Sequence, residues 1–377
     1  MGCLFKMTMK FTVNLTKKQI VYNNLAKFVF LKIRAYSLSE LMRRPIITFL
    51  PILFFLSLTF CSNPPKDKTT KKSKAPEETE IAPIDTAAYN QQLITLANGD
   101  TTGNWPVKNQ PYPLTGAILP GHRIVAYYGN LYSKRMGILG ELPPKEMWAR
   151  LLQEVKAWKT ADPKTPVIPA LHYIAVVAQG DAGKDGKYRS RMPEKQIDSV
   201  LTIARMHKNT LVFLDIQVAL SRIQDELPLL EKYLKLPYVH LGIDPEFSMK
   251  TGAKPGTRIG TYDAAEINYC SQYLAKLVQD NNLTPKVMVV HRFTQGMITN
   301  YKNIKLRPEV QIVIDMDGWG EPELKKGTHR NYIFREPVQF TGFKLFYKND
   351  LKKSPNRMLT PDELLKLKPR PIYIQYQ

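Results

Sequence analysis

From Arg123 onward, short apolar runs alternate with longer amphipathic segments. The apolar runs read RIVAYYGN (123–130), PVIPALHYI (166–174), TLVFLDIQ (210–217), YVHLGIDPE (238–246), KVMVVHRF (286–293), VQIVIDMDG (310–318), GFKLFY (342–347) and PIYIQYQ (371–377). Near-continuous hydrophobicity over strand length is the pattern of parallel strands buried on both faces. Between the runs lie helical periods: PKEMWARLLQEVKAWK after the first, PEKQIDSVLTIARMHK after the second, ELPLLEKYLK after the third and DAAEINYCSQYLAKLV after the fourth. Asp263 and Glu266 open the last of these at capping-box spacing. Thr360 and Glu363 repeat that spacing before the eighth run, with Pro361 in the first turn. The segments after the fifth and sixth runs show no clear helical period. Strand and helix alternating through eight strands predict an α/β fold, a (β/α)8 TIM barrel over residues 121–377. A doubly wound open sheet shares the same alternation, because closure leaves no mark on the pattern.

The chain before the barrel divides by character. Residues 85–120 predict a short helix, Asp85 to Leu96, and then an irregular crossing punctuated by Pro and Gly that packs on the barrel. Residues 62–84 are Lys, Thr, Pro and Glu with little to bury, a flexible tether. Residues 42–61 place Arg43 and Arg44 before an apolar stretch of 16 residues, Pro45 to Phe60, then Cys61 and an abrupt polar change. That is the order of a secretory signal. It resembles a bacterial lipoprotein signal, in which the residue after the cut is a lipidated cysteine. The resemblance implies lipidation at Cys61, with Leu58 at the usual position three before it; Phe60 departs from the small residue expected there. An uncleaved membrane anchor is the alternative. Residues 1–41 carry no usable pattern, and translation is expected to start at Met42. The expected location is the bacterial cell envelope, with the barrel held to a membrane by its lipidated N-terminus.

Charge changes this picture little. The formal net charge is +21, but residues 1–80 hold 14 Lys and Arg against 5 Asp and Glu. Much of the excess is therefore in the leader and tether. No zinc-finger spacing, RNA-recognition motif or basic heptad is present, so nucleic acid is not an expected partner. Three cysteines, Cys3, Cys61 and Cys270, are too few and too scattered for a disulfide framework. The sequence does not indicate an oligomeric state.

Chemistry gathers at the C-terminal ends of the predicted strands, where a barrel of this kind holds its site. Those ends carry Tyr128 and Asn130, His172, Asp215 and Gln217, Asp244 and Glu246, His291, Asp315 and Asp317, Lys344, and Gln375. Asp215/Gln217, Asp244/Glu246 and Asp315/Asp317 repeat one acid-led i, i+2 pair, which puts both members on one face of a strand, roughly 6.6 Å apart. Paired carboxylates are what glycoside hydrolysis needs: one protonates the leaving oxygen, and another acts as base, nucleophile or charge stabiliser. Pro245 holds Asp244 extended. The expected catalytic set is Glu246 as general acid, Asp244 polarising it, and Asp317 or Asp315 as second carboxylate. The expected substrate-binding set is Tyr128, Asp215, Gln217, His291, Trp319, Lys344 and Gln375.

The pattern resembles glycosidase-type (β/α)8 barrels and uncharacterised bacterial lipoproteins that carry one. Asp-x-Glu after strand four with an Asp after strand six is similar to lysozyme-like muramidases. That similarity implies a carbohydrate or peptidoglycan substrate, Asp244 and Glu246 as the strand-four pair and Asp315 or Asp317 as the strand-six acid. Strand one departs from it, with YYGN where those enzymes place an aspartate.

Long Gly-bearing loops follow strands two, four and six, where they would form a binding rim. Among the aromatics near the strand ends, Trp319 beside Asp317 is the one expected to stack on a sugar ring; Tyr127, Tyr128, Tyr132 and Phe247 read singly as core. No cofactor and no metal are expected. Two other readings stay open. Asp215, Glu246, His291 and Asp315 could converge on a divalent metal in a barrel hydrolase, or the barrel could bind a glycan or partner without catalysis.

Overall fold

The structure is a computed structural model and describes residues 84–377. The signal, the tether up to residue 83, and Cys61 lie outside the described residues. Eight parallel strands form the barrel: β1 (Arg123–Gly129), β2 (Val167–Ala178), β3 (Leu211–Ile216), β4 (Val239–Ile243), β5 (Lys286–Arg292), β6 (Val310–Met316), β7 (Phe340–Leu345) and β8 (Tyr373–Tyr376). Each pairs with its sequence neighbours, and β1 pairs with both β2 and β8, Ile124 facing Tyr373 and Tyr128 facing His172. The ring is closed, which removes the open-sheet alternative.

Alternation sorts each strand into two cores. Outward residues such as Val125, Leu171, Val212, Leu241, Val290 and Ile374 pack beneath the helices. The helix α2 (Pro144–Ala161) contributes Trp148, Leu151 and Trp158, and α3 (Glu194–Ala204) contributes Ile197 and Val200. The helix α4 (Ala264–Asp280) starts at the Asp263 cap with the predicted capping box, and buries Ile267 and Leu274. Inward residues make a second, smaller core: Ile124, Ala126, Ala170, Phe213, Val289 and Val313. Tyr89 and Leu93 join this inner cluster from the N-terminal helix α1 (Thr86–Ala97), whose Asp85 cap accepts from the Ala88 amide.

Three local expectations are corrected. β2 runs to Ala178, and Val176–Ala178 pairs antiparallel with Arg189–Arg191, so the Gly-rich segment after strand two is the tip of a hairpin rather than a free loop. The helix expected over 226–235 is three short pieces, Ile223–Glu226, Leu227–Leu230 and Glu231–Leu234; Pro228, which has no amide proton to give, falls within the middle one. β4 stops at Ile243, and Pro245–Phe247 forms a single 3-10 turn capped by Asp244. Glu246 therefore leaves the strand's alternation. Among the described residues no helix is long and apolar enough to cross a membrane.

The inner cluster makes α1 part of the barrel's stability. Leu93→Ala removes a side chain that is 7% exposed and is expected to cost about 2–5 kcal/mol, read as a lower urea midpoint at unchanged m-value.

Candidate active site

A cavity of about 560 Å3 opens among residues at and just beyond the C-terminal strand ends. Seven of the residues singled out from the sequence line it: Tyr128, Gln217, Asp244, Glu246, Asp317, Trp319 and Lys344. Four others do not. Asp215, His291, Asp315 and Gln375 are 0% exposed and absent from the cavity lining. Arg135, Phe293, Phe346, Asn349 and Gln377 also line the cavity. Three of these had a readable signal, since Phe293, Phe346 and Gln377 continue the period-two series of His291, Lys344 and Gln375. Of the remaining aromatics, Phe247 lines the cavity, Tyr127 belongs to the outer core, and Tyr132 is exposed and outside it.

The buried layer and the cavity lining are joined by one polar network. Tyr128 Oη donates to Asp215 Oδ2 at 3.0 Å. Gln217 Nε2 donates to Tyr128 Oη at 3.3 Å and to Asp244 Oδ2 at 3.2 Å, and Asp244 Oδ1 accepts from the Glu246 amide at 3.0 Å. Both Asp244 oxygens are thus engaged, one in the network and one in the turn that ends the strand. His172 Nδ1 lies 2.6 Å from Tyr373 Oη, to which Gln375 Nε2 also donates at 2.8 Å. His291 Nδ1 is 3.3 Å from Asp315 Oδ2 and 3.2 Å from Asp317 Oδ2, and Lys344 Nζ reaches Asp317 Oδ1 at 2.9 Å.

These surroundings set the carboxyls apart. Burial would raise Asp317, but Lys344 and then His291 outweigh it and hold the carboxyl below its usual range. Glu246 is half-buried and has no hydrogen-bond or ion-pair partner for its side chain among the described residues. Burial, then the charge of Asp317, pushes it up to about 7. Asp244 is raised well above its ordinary value, by burial first, with Glu246 and Asp215 adding to it against His291. His172 is lowered to about 4 by burial, so it is neutral at pH 7. Burial would also lower His291, but the charges of Asp215 and Asp317 raise it well above its ordinary value.

Gly242 makes room for this layer. A Cβ there would stand 2.4 Å from His172 Nε2 and 2.5 Å from Asp215 Oδ1. Both are fully buried side chains that cannot swing into solvent.

Fold and site together define a closed (β/α)8 barrel with a carboxylate-bearing cleft at the strand ends. No known family's sequence profile matches the chain, and no curated protein matches it. Two solved structures of PbGH5A, a glycoside hydrolase family 5 enzyme from Prevotella bryantii B14, are similar to it at 10% identity and a TM-score of 0.29. The similarity covers 59% of this chain and 78% and 77% of those; one of the two is a mutant in complex with a xyloglucan tetradecasaccharide. A likeness this distant says nothing of the chemistry of the site.

The fit around residue 242 is directly testable. Gly242→Ala forces a methyl against His172 and Asp215 and is expected to cost about 1–3 kcal/mol, measured by chemical denaturation. An unchanged midpoint would show that the layer has slack.

Proposed function

We propose that this barrel is a glycoside hydrolase-like enzyme, with Glu246 as general acid and Asp317 as the ionised second carboxylate. One observation carries the reading: the same cleft holds two carboxyls in opposite surroundings. Asp317 is ion-paired to Lys344, while Glu246 has no ion-pair partner among the described residues and reaches solvent. Two titratable groups driven apart by their environments are the arrangement that acid and base roles require. Asp244, with both oxygens committed, positions Glu246 through the backbone turn and does not act on substrate itself. Beneath the floor, Asp315 and His291 act through Asp317, Asp215 acts through Tyr128, and Gln375 holds the Tyr373 hydroxyl. Trp319, 49% exposed, offers a flat face for a sugar ring at the cleft wall. The substrate class is a polysaccharide or the glycan of peptidoglycan.

The general acid must hold its proton. Activity is therefore expected to be present below pH 7 and to fall as pH rises through about 7, the value to which Glu246 is pushed. Glu246→Gln is expected to lower kcat about 10²–10⁴-fold and to remove that limb from what activity remains. The check is a pH profile of purified protein on a panel of oligosaccharides and peptidoglycan. A profile flat across pH 7, or full activity in Glu246→Gln, would assign the acid elsewhere. Binding without cleavage would make the barrel a glycan-binding protein.

The reading extends to a lipid-anchored protein of the bacterial cell envelope, supported by the order of residues 42–61. Expressed in bacteria with labelled fatty acid, the chain is expected to carry label and to fractionate with membranes, and Cys61→Ser to lose the label. Label that persists in Cys61→Ser would remove Cys61 as the acceptor.

A further inference from the structure

Beneath the cleft, three side chains from three strands present their inner atoms to one point. His172 Nε2 and His291 Nε2 lie 3.5 and 3.6 Å from Asp215 Oδ1, and the three residues each offer a ligand atom within 4.8 Å of the others. The residues are 0% exposed. None of the three atoms has a hydrogen-bond partner among the described residues. Charge-assisted hydrogen bonds between such groups close to roughly 2.7–2.9 Å. These distances are longer and match a different geometry. Ligand bonds of about 2.1 Å at tetrahedral angles separate neighbouring ligand atoms by roughly 3.4 Å.

The outer atoms of the same side chains are each turned to a partner. His291 Nδ1 faces Asp315 and Asp317, His172 Nδ1 faces the Tyr373 hydroxyl, and Asp215 Oδ2 accepts from Tyr128. A carboxylate or hydroxyl behind each imidazole is how metal-bound histidines are oriented, with the remaining nitrogen aimed at the ion. Gly242 keeps the centre clear, since any Cβ at that position would lie against two of the three ligands.

We propose that His172, Asp215 and His291 bind a divalent first-row transition metal in the barrel interior. Two imidazoles and one carboxylate suit zinc, cobalt or iron better than calcium or magnesium, which favour all-oxygen shells. Three protein ligands leave a coordination position for water. The ion ties β2, β3 and β5 together one layer below the carboxyls of the cleft. The proposal is independent of what the cleft cleaves. It differs from the ligand set suggested by the sequence, which lacked His172 and included Glu246 and Asp315.

The test uses the full-length protein stripped with a chelator, dialysed, and titrated with zinc or cobalt chloride. Expected are one equivalent bound per chain, cobalt d–d absorption, and a raised melting temperature. His172→Gln and Gly242→Ala, each checked for fold by circular dichroism, are expected to abolish binding, and Glu246→Gln to retain it. X-ray absorption of the zinc-loaded wild type gives a readout that needs no variant and is expected to show two imidazole ligands. No binding by the wild type, binding that survives His172→Gln, or a zinc shell with fewer than two imidazoles would overturn the proposal.

Discussion

Asp215 is buried with no exposure at the centre of a barrel, and a carboxylate there is costly unless it is compensated. Much of the upper half of the barrel answers that requirement. Tyr128 donates to one oxygen, and two imidazoles face the other. His291, positive by a proton or replaced in that role by an ion among the three ligands, is met in turn by Asp317, and Asp317 by Lys344. Charge alternates along this path from the interior to the cleft. Glu246 stands outside it. It is a cleft carboxyl without an ion pair among the described residues, and burial, then the charge of Asp317, pushes it up to about 7.

Such a layer needs space that a parallel barrel does not ordinarily give. Interiors of this kind are filled by branched side chains from alternating strands. Here two strands give up their side chains at the level of the polar groups. A Cβ on Gly242 of β4 would meet His172 and Asp215, and one on Gly342 of β7 would stand 2.6 Å from Asp315 Oδ1 and 3.0 Å from the Tyr373 ring. The register places Gly242 beside Asp215 and Gly342 beside Asp315. Each glycine thus yields its volume to the carboxylate of the neighbouring strand.

The strand order was legible because burial on both faces writes itself as continuous apolar runs, and the capping boxes at Asp263 and Thr360 marked two helix starts. Closure was not legible, since it depends on the pairing of β1 with β8, residues nearly the whole barrel apart in sequence. At the site, strand ends pointed to Tyr128, Asp244, Asp317 and Lys344. Period two tells which face a residue takes but not how deep it lies, so Asp315 and Asp317 read alike although Asp317 alone lines the cleft. Glu246 reached the cleft by a route the alternation does not describe, a 3-10 turn that Asp244 caps. His172 looked isolated because its companions lie 43 and 119 positions further along the chain.

The two ends of β6 show how structural polarity differs from functional polarity. Gln311 points into the barrel near its base, and all of its groups are matched. Its oxygen accepts from the Ile118 and Leu119 amides at 3.0 and 2.9 Å, and its amide donates to the Leu119 carbonyl at 2.5 Å. Four residues on, on the same face, Asp315 is equally buried, yet neither of its oxygens has a hydrogen bond among the described residues. His291 Nε2 beside it likewise has no hydrogen bond, while His291 Nδ1 faces Asp315 and Asp317 at 3.3 and 3.2 Å. Folded chains match nearly all their buried polar groups. Unmatched buried atoms also occur at Tyr173, His240 and Arg292; His172, Asp215 and His291 differ in offering ligand atoms within 4.8 Å of one another. That convergence, rather than the lack of partners alone, is what the proposed metal site rests on.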